Sequence, residues 1–128
     1  MSLVSPLSRV LGLGSAKEGA EHWWAQRLTA VALIPLGLWF AFAIAGLPDL
    51  SYGSVVTFIR VPMNGILLVL TLVTLSYHSQ LGVQVIVEDY VHGASVKVVT
   101  IVVLSFAHVA VAVAGIFAVM KVAFGAGV

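Results

Sequence analysis

The run Val61–Val87, VPMNGILLVLTLVTLSYHSQLGVQVIV, holds 27 residues and not one formal charge. At 1.5 Å per residue a helix of that length measures about 40 Å, against about 30 Å for a bilayer's hydrocarbon core. The run therefore predicts a membrane-spanning helix, whose backbone groups satisfy one another where no water can. Working outward, Arg9, Lys17, Glu18, Glu21, Arg27, Asp49 and Arg60 precede it, and Glu88, Asp89, Lys97 and Lys121 follow. Between these charges lie two further charge-free gaps, Leu28–Pro48 (21 residues) and Val98–Met120 (23 residues). Each is long enough to cross, so three transmembrane helices are expected.

The whole-chain composition agrees. Of 128 residues, 61% are hydrophobic and 9% charged, with a mean hydropathy of +1.13. A soluble domain carries about a quarter charged residues, so that class is excluded. A net charge of +1 leaves no basic field to hold nucleic acid by neutralising phosphates. Zero cysteines exclude a disulfide framework, a thiolate zinc site and a self-ligated iron–sulfur cluster. Any cofactor must be held by His, carboxylate or backbone.

The chain reads as one domain, 1–128: an N-terminal cytoplasmic segment 1–27 and spans at about 28–48, 61–87 and 98–120. Gly46, Pro48, Asp49, Tyr52 and Gly53 mark the first loop, and Gly93 and Ala94 the second. Tyr52–Ile59 suits a short interfacial helix ahead of Arg60 and Pro62. Pro35 falls inside the first span, a position membrane helices tolerate. The first nineteen residues lack an apolar run followed by a small-residue cleavage site, so no secretory signal is expected there. With the N-terminus inside, Arg9, Lys17, Arg27 and Lys97 are cytoplasmic and Arg60 and Lys121 are not, a four-to-two balance that favours this orientation. Trp23, Trp24, Trp39 and Tyr52 read as interfacial anchors.

Ionisable side chains within a span are costly and mark function by default. His78 and His108 both qualify. A neutral imidazole is a good iron ligand, and without Cys it is the strongest haem-binding side chain here besides Met and Tyr. The alternative for each is a histidine hydrogen-bonded between helices. At 100° per residue, positions 78, 82, 85 and 89 share a face. Gly82, one turn from His78, leaves room for a flat macrocycle or for close helix packing. Asp89 lies about 16 Å from His78 along the axis. Glu88, Asp89 and Tyr90 form either the mouth of a site for a lipophilic redox carrier or a solvated helix end. Tyr90 has the hydroxyl to bond a carbonyl oxygen, and Asp89 the carboxylate to relay protons or hold a cation. At the other cytoplasmic end, His22 precedes Arg27, which is able to clamp a propionate or to snorkel.

His78, Gly82 at +4 and Asp89-Tyr90 at +11 and +12, with His22 upstream of Arg27-Leu28-Thr29-Ala30, resemble the D-type hydrophobic membrane anchor of succinate dehydrogenase, respiratory complex II. The segment SAKEGAEHWWAQR, Ser15–Arg27, is similar to bacterial members of that family. The resemblance implies an all-α membrane protein of three transmembrane helices, N-terminus cytoplasmic, paired with a second three-helix anchor of C type. It implies an iron–sulfur subunit and a flavoprotein subunit as further partners, in the bacterial inner membrane ahead of the mitochondrial one. The chain is then a subunit of an enzyme with no complete active site of its own, serving the respiratory chain and the tricarboxylic acid cycle.

Carried over residue by residue, His78 is implied as one axial ligand of haem b, the other coming from the partner anchor. Gly82 packs the haem, Arg27 meets a haem propionate, Tyr90 bonds ubiquinone and Asp89 supports that site. His108 has no counterpart and is expected to be a packed histidine. Two readings stand beside this one: the anchor of a fumarate reductase-type enzyme, and a small three-span transporter or assembly protein using His78 and His108 as a proton relay.

Overall fold

A computed structural model describes residues 16–125 of the chain. The segment read as lacking a signal sequence lies almost entirely outside the described residues, as do Arg9 and the last three residues. Four helices follow in order: α1 Ala16–Ala45, α2 Tyr52–Arg60, α3 Pro62–Tyr90 and α4 Ala94–Phe124. Among the described residues there is no strand. The three long helices, α1, α3 and α4, are each long and apolar enough to cross a membrane.

Each long helix outruns its charge-free gap. α1 starts twelve residues before Leu28, because Ala, Lys, Glu and Gln are good helix formers and a charge ends the apolar stretch without ending the helix. It also runs unbroken through Pro35. It stops at Gly46, whose N–H donates to Phe42 O at 2.9 Å. A Cβ on Gly46 would stand 3.2 Å from that same carbonyl, so the turn favours glycine.

The first loop is built on Asp49. Its Oδ1 accepts from the Ser51 N–H at 3.0 Å, the Ser51 hydroxyl at 2.6 Å and the Ser54 hydroxyl at 2.5 Å. Those donors, Ser51 first, hold the Asp49 carboxyl below its ordinary value. Ser51 is also the N-cap of α2, its hydroxyl accepting from the Ser54 N–H. α2 is thus the short helix expected at Tyr52–Ile59, one residue longer. Its Phe58 ring stacks on Trp39 of α1, centroids 6.2 Å apart. Trp39 therefore pins the short helix, a packing duty beyond that of an interfacial anchor. At the far end of α2, Asn64 Nδ2 donates to Phe58 O at 3.0 Å, and Arg60 Nη2 donates to Gly125 O at 2.9 Å, just past the C-terminus of α4.

α3 is the middle of the row. It packs along both α1 and α4, while the backbones of α1 and α4 do not approach each other closely among the described residues. Among the described residues the buried ones, Gly65, Leu81 and Val87, all belong to α3. On the α4 side Gly115 receives Leu72, whose side-chain carbons lie 3.2 Å from where a Cβ would be. Polar bonds then fix the α3–α4 register: Ser76 Oγ donates to His108 O at 2.9 Å, and Gln80 Nε2 to Ser105 Oγ at 3.0 Å. At the C-terminal end of α3 Lys97 Nζ donates to Glu88 O at 2.7 Å, a cation on the last carbonyls of α3.

Candidate functional site

The two histidines lie at similar height, His78 in the α1–α3 seam and His108 in the α3–α4 seam, and are engaged differently. His108 is half-buried on α4. Its Nδ1 lies 2.7 Å from Leu104 O, and since a carbonyl only accepts, Nδ1 carries the proton. Its Nε2 lies 3.2 Å from Ser79 Oγ of α3 and accepts from that hydroxyl. Both nitrogens are used within the protein, the packed arrangement expected for His108. A groove of ≈ 320 Å³ between α3 and α4 passes over His108, Ser76 and Ser79, but His108 offers it no free lone pair.

His78 is also half-buried and faces the opposite way on α3. Its Nδ1 lies 2.9 Å from Thr29 Oγ1 of α1, while Thr29 Oγ1 lies 2.8 Å from Ala25 O and 3.1 Å from Gln26 O. Among the described residues nothing bonds His78 Nε2. One turn on, the missing side chain of Gly82 points at Gln26, with Nε2 of Gln26 3.5 Å from an ideal Cβ, an ordinary contact distance. Buried along the same face of α1 are two polar atoms without partners, His22 Nε2 and Gln26 Oε1. His22, Gln26 and Thr29 fall at i, i+4 and i+7, a polar stripe laid against the His78–Gly82 face of α3.

That stripe is the part of the site the sequence reading did not assemble. His22 is noted there only as preceding Arg27, Thr29 enters only within a motif and Gln26 only within a quoted segment. Their 3.6-residue spacing in an otherwise apolar helix was the available signal.

A sequence model of the family described as succinate dehydrogenase/fumarate reductase transmembrane subunit matches residues 1–118. The chain belongs to this family. Among its relatives, a succinate dehydrogenase hydrophobic membrane anchor subunit of Rickettsia bellii is 36% identical over 78 residues, covering 61% of this chain and 62% of that protein. A succinate dehydrogenase membrane anchor subunit of Reclinomonas americana is 38% identical over 88 residues, 66% of this chain and 73% of its own. The Paracoccus denitrificans protein, named like the first, is 29% identical over 126 residues, 98% and 97% of the two lengths. The chain thus spans less than two thirds of the Rickettsia relative and nearly all of the Paracoccus one.

The remaining candidate residues of this membrane anchor stand apart from His78. Arg27 is exposed, and its guanidinium lies over the Trp23 ring, 5.4 Å from the centroid. At 100° per residue it projects about 160° away from Thr29, so α1 does not bring it into the stripe facing α3. Asp89 and Tyr90 are exposed in the last turn of α3, with Tyr90 77% accessible. They share that turn with Glu88, which accepts from Gln84 Nε2 at 2.7 Å.

Proposed function

We propose that the chain is the anchor that ties the flavoprotein and iron–sulfur subunits of a succinate:ubiquinone oxidoreductase to the bacterial cytoplasmic membrane, N-terminus inside, paired with a second three-helix anchor. Family membership supports the anchor role, and the unequal engagement of the two histidines supports the cofactor assignment. His78 has a bonded Nδ1 and an open Nε2, the donor chemistry of an axial haem ligand, whereas His108 has nothing to give. A haem b held by His78 would supply a reversible one-electron store.

The chain's own residues then act as follows. His78 presents Nε2 from the centre of the row, where the flanking helices hold α3 in place. Gly82 keeps the next turn of α3 free of side chain. Arg27, at the cytoplasmic end of the first span, is assigned to a propionate, which requires its side chain to leave the Trp23 ring and swing toward α3. Tyr90 donates its hydroxyl to a carbonyl oxygen of ubiquinone, and Asp89 takes protons from the cytoplasmic water and supports that bond. Reducing the quinone to quinol consumes two electrons from the iron–sulfur subunit and two protons, and the exposed last turn of α3 is where both supplies meet.

The test is purification of the intact complex in mild detergent through a tag on this chain, with a reduced-minus-oxidised spectrum and a succinate–quinone assay, for wild type and His78→Leu. Co-purifying flavoprotein and iron–sulfur subunits, with a b-type signal that His78→Leu removes or converts to high spin, is the expected result. Partners and activity without haem would leave the anchor role and remove the His78 role. A fumarate reductase-type enzyme, which the family description also covers, is distinguished by the preferred direction of turnover and of quinone.

A further inference from the structure

The geometry points to Thr29 as the positioning residue that sets which nitrogen of His78 is free to ligate, a role that rests on the haem reading above. A threonine hydroxyl has one proton to give. Thr29 Oγ1 sits 2.8 Å from Ala25 O and 3.1 Å from Gln26 O, the back-bonded arrangement in which that proton goes to the carbonyls of the preceding turn. Its lone pairs face His78 Nδ1 at 2.9 Å. With the hydroxyl proton already committed, the proton between Oγ1 and Nδ1 belongs to the imidazole. The bond therefore runs from His78 Nδ1–H to Thr29 and from Thr29 to the α1 backbone. A neutral ring protonated at Nδ1 has its lone pair at Nε2, the nitrogen that nothing bonds among the described residues.

Two consequences separate this role from simple packing. The relay anchors one edge of the imidazole to α1, so the ring plane is fixed by a helix other than the one carrying it. The accepted Nδ1–H bond also shifts electron density toward Nε2, which makes the ligand more basic and favours the ferric over the ferrous state. A hydroxyl that already donates to a backbone carbonyl is a better acceptor than one that does not.

Thr29→Val keeps the shape of the side chain and removes the acceptor, and Thr29→Ser keeps the hydroxyl. The experiment measures the haem midpoint potential, the low-spin ferric electron paramagnetic resonance spectrum and the haem content of the purified complex for wild type, both variants and His78→Leu. Thr29→Val is expected to move the potential to more positive values and to change the low-spin g-anisotropy through a reoriented ring, and Thr29→Ser to restore both. Should Thr29→Val fail to assemble, Thr29→Ala is read by the same criteria. A Thr29→Val or Thr29→Ala complex with wild-type potential and spectrum overturns the proposal while leaving haem ligation intact. So does a Thr29→Ser complex as altered as the valine variant, since the hydroxyl is then not the operative group. A wild-type complex without haem, or a His78→Leu complex with an unchanged low-spin spectrum, overturns the ligand reading itself and the Thr29 role with it.

Discussion

His78 and His108 are the same residue type at nearly the same height, and their neighbours engage them differently. His108 spends Nδ1 on Leu104 O and Nε2 on Ser79, so it is a bridge between α3 and α4. Interhelical side-chain bonds of this kind contribute about 0.6 kcal/mol each in membranes, rarely more than about 1.7. His108→Leu is therefore expected to lower the resistance of the purified complex to thermal or denaturant unfolding by about 1 kcal/mol and to leave any haem spectrum unchanged. A loss of haem in that variant would reverse the assignment of the two histidines. In the last turn of α3, Asp89→Leu and Tyr90→Phe are expected to slow succinate-driven quinone reduction at least several-fold while succinate oxidation with a soluble acceptor continues. Undiminished quinone reduction in both would move the quinone site elsewhere.

Single side chains also decide how the helices are joined. Asp49 organises the turn into α2 through Ser51 and Ser54, and these donors hold its carboxyl below the ordinary value. A depressed carboxylate contributes stability that is complete above its unfolded value and is lost as pH falls through the folded one. The start of α2 is thus expected to hold at neutral pH and to loosen only in acid, below about pH 4. Hydrogen exchange of the α2 amides in wild type against Asp49→Asn, compared at each pH, reads this out, because the asparagine variant has no carboxylate to titrate. If the difference between the two does not change with pH, the carboxylate is not what holds the turn into α2. Along α3 and α4 the matching feature is Gly115. Its open side admits Leu72, and Gly115→Leu would place a branched side chain where Leu72 already stands, costing about 1–3 kcal/mol by overpacking. Lower yield of assembled complex and a lower unfolding temperature are the expected readouts, with Leu72→Ala in the same chain giving partial relief.

The described residues form a row of helices with α3 between its neighbours, and few of them are buried. Such a row buries too little for a closed bundle, and lipid or protein must cover the apolar faces left exposed. The absence of cysteine allows a clean check. With cysteines at positions 72 and 115, a short bismaleimide is expected to join α3 to α4. With one cysteine near the middle of α1 and one near the middle of α4, on faces away from α3, no intrachain link is expected. An efficient link in the second case would show a closed three-helix bundle.

The membrane class, the three crossings, the short helix before Pro62 and the His78–Gly82–Asp89–Tyr90 spacing were all legible in the residue string. Each depends on properties that are local along the chain: runs free of charge, breakers at the loops, and faces set by 100° per residue. The helix ends were less legible, since good helix formers carry α1 well past the charge at Arg27. What the residue spacing did not contain, apart from the family resemblance, was how differently two half-buried histidines are engaged. That difference depends on which groups of other helices stand within about 3 Å of each ring nitrogen. Thr29 is 49 residues from His78, and Ser79 is 29 from His108. Only the packing of α1 and α4 on opposite sides of α3 brings each hydroxyl to its imidazole, and so leaves one histidine closed and the other open.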